Sequence, residues 1–172
     1  MSTRKKSPTN FWHRHRHIKH ILIGLVIITV VIVCWFVAIT IRSTRYQSQL
    51  QPFYDTTGLT LNNNFGEVVK QEPLNVDING GTAYRILYRT QRADGSNTFS
   101  SGMVFIPNGT SATPRPVVAW AHGTVGMGDS CAPSRTNDPA NNINWVNEMM
   151  QQGWVVTATD YSGLGTAGTQ GY

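Results

Sequence analysis

Residues 21–41 form the longest apolar segment of this 172-residue chain, and no charged side chain interrupts it. At a helical rise of about 1.5 Å per residue the segment spans roughly 31 Å, the hydrocarbon thickness of a bilayer. The apolar core of a secretory signal peptide is shorter, about 7–15 residues, and precedes a small-x-small cleavage site. Here only Ala38-x-Thr40 weakly resembles such a site. We therefore predict a signal anchor, with a cleaved signal peptide as the alternative and an all-apolar core helix as a remote third.

The basic residues are concentrated before this segment. Residues 1–20 carry six of the fourteen Lys and Arg residues and no acidic residue, and four His residues alternate with them (His13, His15, His17, His20). Neighbouring cationic side chains oppose metal binding, so we interpret residues 1–20 as a solvated basic flank. The positive-inside rule then places the N-terminus in the cytoplasm and the main domain outside.

The net charge of +5 does not indicate a nucleic-acid partner. From residue 46 onward, six basic residues stand against nine acidic ones, so the positive charge is a terminal flank and not a face of the domain. We predict four parts: a basic cytoplasmic flank at 1–20, a transmembrane signal anchor at 21–41, a juxtamembrane connector at 42–65 and a domain at 66–172. The protein is then a single-pass protein of the cell membrane, and the lipid bilayer is the partner of residues 21–41.

Two segments of the domain have the composition of an antiparallel hairpin. Residues 82–90 and 98–107 are rich in aromatic and β-branched residues, and an Asp-Gly turn lies between them. Residues 46–66, in contrast, are polar, rich in Asn and without periodicity. The hairpin is followed by Asn108-Gly109-Thr110, which matches a glycosylation sequon in a loop rich in Gly, Thr and Pro.

The second half of the domain has the pattern of a βαβ unit. An apolar strand at 116–121 is predicted to be buried, a helix at 141–152 has apolar residues at helical spacing, and Gly153 suits the C′ position after that helix. A second buried strand follows at 154–159. This order implies a parallel pair of strands joined by a right-handed crossover.

Polar residues follow the ends of both predicted parallel strands, which is where sites assemble in such sheets. His122-Gly123 ends the first strand and Asp160 ends the second. An HG-type loop supplies one backbone N–H of the oxyanion hole in α/β-hydrolases, but any buried strand must end in a loop, so these residues alone leave both interpretations open. We expect the His122 imidazole to hydrogen-bond within the loop; the alternative is a loop histidine unrelated to any site.

Two further motifs are weak. Gly163-x-Gly165-x-x-Gly168 matches a dinucleotide-binding pattern, but three residues separate it from the strand and no helix can start in residues 169–172 as written. The sequence contains no G-x-S-x-G, and Ser162, the nearest candidate, has Asp160 two positions before it. The two cysteines are Cys34, inside the apolar segment, and Cys131, which is either a small buried residue or lacks its partner.

A series of short motifs in residues 52–172 resembles the secretory-lipase branch of the α/β-hydrolases. The motifs occur in order and at similar spacing: Phe53-Tyr54, Gly66-Glu67-Val68-Val69 with Glu72-Pro73-Leu74, Ala83 to Arg89, Ser101 to Pro107, Val118 to Thr124, Cys131-Ala132-Pro133-Ser134, and Ala158 to Tyr161 with Gly163 to Thr166. The HGT, CAPS and TDY-x-GLGT elements are the specific ones. The segment at 21–41 departs from the cleaved signal that is usual in that branch.

The resemblance implies an eight-stranded core that cleaves carboxylic esters, including acylglycerols, through an acyl-enzyme and without a cofactor or metal. It places the oxyanion contribution on the backbone of Gly123 or Thr124 and pairs Cys131 with a cysteine further along. We expect His122 and Asp160, at the two strand ends, to support this loop. It places the nucleophile, acid and base beyond Tyr172.

We therefore predict an α/β fold that is the N-terminal part of an α/β-hydrolase sheet, an edge hairpin plus one βαβ unit, preceded by a single transmembrane helix. The chain would be a fragment of a serine hydrolase and inactive by itself. The alternatives are a non-catalytic membrane-anchored extracytoplasmic binding module and, more remotely, a dinucleotide-binding domain.

Overall fold

A computed structural model describes the backbone of residues 9–170 and the side chains of residues 18–170. The chain divides into two compact units, Met1–Tyr46 and Gln47–Tyr172. One helix, α1 (Thr9–Tyr54), begins in the first unit and ends in the second. Most of the basic flank predicted at residues 1–20 lies outside the residues whose side chains are described.

The described part of α1 includes one stretch, Ile18–Tyr54, that is long and apolar enough to cross a membrane. A signal sequence or the core helix of a soluble protein can pass the same test. A core helix is mostly buried, whereas the side chains in the most apolar part of Ile18–Tyr54 are exposed. The hydroxyls of Thr29 and Thr40 donate to the carbonyls of Leu25 and Phe36 at 2.9 and 3.0 Å, one helical turn back. The hydroxyls of these two threonines are thereby satisfied within the helix, as an apolar environment requires.

The second unit is built on a five-stranded sheet. The strands are β1 (Val68–Leu74), β2 (Gly81–Gln91), β3 (Asn97–Pro107), β4 (Val117–Ala121) and β5 (Val155–Thr159), arranged in the order β1-β2-β3-β5-β4. Only β4 and β5 are parallel, with Ala121 opposite Thr159. The hairpin (β2 and β3) and the parallel pair are thus confirmed, whereas β1 had no predicted counterpart.

The helix between β4 and β5 is shorter than predicted. It is α2 (Val146–Gln151), and residues Ala140–Asn142 form a separate 3-10 turn before it. Trp145 between them has a φ of +60°, a left-handed conformation that an α-helix cannot contain. A helix starting at residue 141 is therefore wrong. Gly153, with a φ of +78°, follows the helix at the position predicted for a C′ glycine.

The hydrophobic core lies on one face of the sheet, where α2 packs. It is formed by apolar side chains of the inner strands and of residues 140–150 (Ala83, Met103, Phe105, Val156, Ala158, Ala140, Ile143, Val146, Met150). On the opposite face of β4 the side chains of Val117, Ala119 and Ala121 are exposed, Val117 by 65%. The prediction that β4 is a buried strand is therefore wrong, because β4 lies at the edge of the sheet and only one of its faces is covered.

The connector predicted at residues 42–65 also differs from the structure, because α1 continues into it as far as Tyr54. Residues 46–54 are helical rather than aperiodic, and Gln47, Gln51 and Tyr54 recur at helical spacing and contact the domain. Polar side chains on that face make direct hydrogen bonds, so an apolar pattern does not reveal them. The irregular part of the connector begins after Tyr54.

Candidate active site

The loops after β4 and β5 lie side by side because the two strands are parallel and in register to their carboxyl ends. This brings His122 next to Asp160 and Tyr161. The imidazole Nε2 of His122 lies 3.3 Å from the carbonyl oxygen of Asp160, and the Tyr161 hydroxyl donates to the His122 carbonyl at 3.2 Å. The two rings are 4.5 Å apart. The two strand ends that the sequence singles out therefore meet at one place.

The His122 imidazole also folds back onto its own loop. Its Nδ1 lies 2.6 Å from the carbonyl oxygen of Gly123. Both ring nitrogens therefore face carbonyl oxygens, which can only accept, so each contact is a hydrogen bond only when its own ring nitrogen carries a proton. The side chain thus turns the Gly123 carbonyl toward the ring.

The backbone N–H groups of Gly123 and Thr124 come next in this loop, and both residues are exposed. Neither N–H donates a hydrogen bond to another residue of the described chain. A β-carbon built on Gly123 would meet nothing within 4 Å, so there is open space at this point. Two unpaired donors beside open space are what an oxyanion hole requires, and the role of Gly123 and Thr124 stays a prediction.

The Asp160 side chain points away from this space and is completely buried. Its carboxylate accepts three hydrogen bonds: from the Ser101 hydroxyl at 2.6 Å, from the Ser134 N–H at 2.9 Å, and from the Ser134 hydroxyl. The backbone N–H of Asp160 donates to the Ser101 carbonyl at 2.8 Å. Asp160 thereby joins the end of β5 to β3 and to the loop that contains Ser134.

Burial raises the pKa of the Asp160 carboxyl, because a charged carboxylate loses its hydration in the interior. The hydrogen bonds from Ser101 and Ser134, and the charge of His122, act in the opposite direction. Burial is the largest of these effects. Burial likewise raises the pKa of the Tyr54 phenol, which therefore stays protonated and can donate.

Arg85 supports the same loop from β2. Its Nε and Nη2 both donate to the Ser134 carbonyl at 2.9 Å, and its Nη1 forms an ion pair with Glu72 on β1. Arg85 is itself buried, so its charge is matched by a carboxylate and by a carbonyl dipole. The Ser134 backbone is thus fixed by Arg85 on one side and by Asp160 on the other.

Arg135, the next residue, connects this loop to the end of α1. Its guanidinium lies 4.3 Å from the centre of the Tyr54 ring and donates to the Gln47 and Gln51 side chains at 3.1 and 3.0 Å. It also donates to the Gly165 carbonyl at 3.1 Å. The residues that hold this cluster together (Tyr54, Arg85, Ser101, Ser134, Arg135) had no predicted role. A charged residue at position 85, on the apolar face of a strand, was the one available signal.

The remaining sequence candidates lie at the border of this cluster. Cys131 is half-buried and unpaired, and its pairing with a later cysteine stays a prediction. Gly163 and Gly165 have positive φ values in a turn, and no helix follows them up to residue 170, so the helix that a dinucleotide fingerprint opens does not form there. Among the described residues no three His, Cys, Asp or Glu side chains are placed to hold a metal ion.

No protein-family model matches this sequence, and no curated protein does. Among solved structures the chain is similar to Candida antarctica lipase A, with a TM-score of 0.51 at 20% identity, and to the closed state of that lipase, with 0.50 at 21%. Each match covers 67% of this chain and 31% of the lipase. The cell-wall-degrading esterase LipA of Xanthomonas oryzae gives a TM-score of 0.47 at 22% identity, over 58% of this chain and 30% of that one.

The chain thus spans about a third of the length of the lipase that it matches. Identities of 20 and 21% show a common fold and nothing finer. The strand order, the parallel pair and this likeness together show that the described domain has part of the fold of that lipase.

Proposed function

We propose that this chain is the N-terminal part of a membrane-anchored carboxylic-ester hydrolase of the lipase or esterase type. The observation that supports this most directly is the pair of unpaired N–H groups at Gly123 and Thr124, exposed at the carboxyl end of β4. In this fold a loop at that position contributes one donor to the oxyanion hole. The substrate class is a carboxylic ester, with acylglycerols among the candidates.

Ester hydrolysis requires hydrogen-bond donors that are held in place before the reaction. When a nucleophile attacks an ester carbonyl, negative charge develops on the oxygen, and fixed backbone N–H groups stabilise it without reorganising. The Asp160 cluster supplies this rigidity: it ties β3, β5 and the Ser134 loop together. The His122 ring packs against Tyr161, and its Nδ1 contacts the Gly123 carbonyl, so His122 connects the Gly123 loop to the end of β5.

The nucleophile is not in this cluster. Ser101 and Ser134 are both completely buried and donate their hydroxyl protons to Asp160, so no ester could reach them. The sequence contains no G-x-S-x-G motif. We propose that the nucleophile, acid and base come from sequence outside residues 1–172 and that the chain has no hydrolase activity without them.

The uncovered face of the sheet supports the same proposal. A shallow apolar groove of about 350 Å³ lies on that face and is lined by Ile86, Tyr88, Ala119 and Thr157, among others. Parallel strands are normally covered on both faces, and the outer edge of β4 has no hydrogen-bonded neighbour among the described strands. Further hydrolase sequence would cover the groove and pair with this edge.

The membrane attachment belongs to the proposal as well. Residues 21–41 would anchor the protein as a single-pass signal anchor, with the N-terminus in the cytoplasm and the hydrolase domain outside. The basic residues before the apolar segment support this orientation.

The reading frame beyond codon 172 tests the proposal. We expect it to contain G-x-S-x-G, and the complete product in a membrane fraction to hydrolyse p-nitrophenyl esters and to be labelled by a fluorophosphonate. The chain ending at Tyr172 should do neither. A stop codon directly after residue 172, together with an inactive product, would contradict the proposal.

A non-catalytic, membrane-anchored binding module is the second candidate. The burial of both serines at Asp160 favours it, since the described residues include no accessible serine in that cluster. It predicts that residues 47–172 unfold cooperatively in urea as an independent monomer. The hydrolase proposal predicts a broad transition, because one face of the sheet is uncovered.

A further inference from the structure

The loop between β3 and β4, residues 108–116, contains a feature that the proposed hydrolase function does not use. It begins with Asn108-Gly109-Thr110, the chemical pattern Asn-x-Thr that an oligosaccharyltransferase modifies on the Asn amide nitrogen. The middle residue is Gly and not Pro, as the pattern requires. No other Asn of the chain stands two positions before Ser or Thr.

The Asn108 side chain is free to carry a large substituent. Asn108, Gly109 and Thr110 are all exposed. In the part of the chain that the structure describes, the side-chain amide of Asn108 and the hydroxyl of Thr110 have no hydrogen-bond partner. A glycan at this position would therefore break no contact of the folded chain.

The backbone of the loop is held without the Asn108 side chain. The Asn108 N–H donates to the Gly80 carbonyl at 2.8 Å. The Arg115 guanidinium donates to the carbonyls of Asn108, Gly109 and Gly153 at 3.1, 2.9 and 3.1 Å. Gly109, with a φ of +78°, makes the turn that presents the Asn. Substituting the Asn108 side chain leaves all these bonds in place.

The sequon lies at the end of the sheet that is opposite the candidate active site. β3 is antiparallel to β5, so Ser101 in the first half of β3 neighbours Asp160, whereas Pro107 at the end of β3 lies beyond the start of β5. The seven residue steps from Ser101 to Asn108 extend about 23 Å in strand conformation. A glycan on Asn108 would leave the Gly123 loop accessible.

We propose that Asn108 is an N-glycosylation acceptor whose glycan projects from the end of the sheet opposite the candidate active site. The modification is independent of hydrolysis and rests only on the translocation of the domain to the side of the membrane where oligosaccharyltransferase acts. It also makes residue 108 a reporter of that topology.

Translation of the whole 172-residue chain with endoplasmic-reticulum microsomes tests the proposal. We expect one step of increased apparent mass, removed by endoglycosidase H, and we expect Asn108→Gln and Thr110→Ala each to abolish the step. Neither substitution removes a contact of the fold, so their loss of the step reports the acceptor and not misfolding. A step that persists in Asn108→Gln would overturn the proposal.

A matched variant shows whether the domain reaches the enzyme. Asp94→Asn turns the exposed hairpin loop Asp94-Gly95-Ser96 into a second sequon and keeps the side-chain oxygen that accepts from the Ser96 N–H at 2.9 Å. In the Asn108→Gln background this variant should recover one step. If the Asp94→Asn variant shows the step in mass and the wild type does not, the domain reaches the enzyme but Asn108 is not an acceptor. Absence of the step in both would place the domain on the cytoplasmic side, and the proposal would also fail.

Discussion

The hydroxyl of Tyr54 lies 2.6 Å from the hydroxyl of Ser134, and it must be the donor in this hydrogen bond, because Ser134 gives its own proton to Asp160. A chain of hydrogen bonds thus runs from the last residue of α1 to the end of β5. It joins residues 80 and 26 positions apart in the sequence. The end of α1 is therefore a structural part of the domain.

Tyr54→Phe should destabilise the domain. The substitution removes the hydroxyl that donates to Ser134 and leaves a buried acceptor without its partner, which costs about 1–3 kcal/mol. Urea unfolding of the detergent-solubilised complete product, in which the uncovered face of the sheet is covered, measures the difference by Trp fluorescence.

Tyr84→Phe is the matched control, since Tyr84 is half-buried on β2 and its hydroxyl makes no hydrogen bond within the described residues. It should change the free energy of unfolding little. Equal effects of the two substitutions would show that the Tyr54 hydroxyl contributes nothing specific.

Asp160→Asn should change how stability depends on pH. Burial holds the pKa of Asp160 above its ordinary value of 3.8. A carboxyl with a raised folded-state pKa contributes stability that is fully present below that ordinary value and is lost as the pH rises through the folded value. The stability of the wild type relative to Asp160→Asn should therefore fall as the pH rises from below 3.8.

The difference in stability between the wild type and Asp160→Asn reports the titration of Asp160 alone. Hydrogen bonds from Thr57 and Ser96 lower the pKa values of Asp55 and Asp94, and these carboxyls lose their contributions as the pH falls. Both proteins contain them, so their effects cancel in the difference. A difference that grows with pH would mean that the three hydrogen bonds to Asp160 outweigh its burial.

The sequence predicts those parts of the fold that are determined by residues close together in the chain. Alternation and an Asp-Gly turn specify β2 and β3, and the two apolar strands around α2 specify the parallel pair. The start of α2 was misplaced because the left-handed conformation of Trp145 depends on packing and not on local propensity. Burial of β4 was overestimated, since an apolar run does not reveal which face of a strand is covered.

The candidate site divides in the same way. The positions of His122 and Asp160 follow from the rule that sites form at the carboxyl ends of parallel strands. The cluster that fixes Asp160 could not be predicted, because Tyr54, Ser101 and Ser134 come from three distant segments and no local sequence pattern marks them as its partners. Such polar clusters can be found only once the topology is known.

Gly102→Ala should separate β3 from β5. A β-carbon at Gly102 would collide with the carbonyl oxygen of Ala158, a backbone atom that cannot move without breaking the strand pairing. Overpacking of this kind costs about 1–3 kcal/mol. Gly123→Ala, where a β-carbon meets open space, is the control and should leave the urea midpoint unchanged. An unchanged midpoint for Gly102→Ala as well would contradict the close approach of the two strands.

The anchor can be tested with an N-terminal epitope tag on the chain. If residues 21–41 stay in the mature protein, the tag and the domain should remain together in the membrane pellet after alkaline carbonate extraction. A cleaved signal peptide would instead release the domain without the tag.

Thr124→Pro should reduce ester hydrolysis by the complete enzyme, because proline has no backbone N–H to donate to the oxyanion. Loss of one oxyanion-hole donor lowers kcat by about 10²–10³-fold. Thr124→Ala keeps the N–H and should retain near wild-type kcat, and the urea midpoints of both variants show whether the fold is intact. If Thr124→Pro also retains kcat while Gly123→Pro loses it, the donor is Gly123. If neither proline variant lowers kcat, the loop after β4 does not contribute to the oxyanion hole.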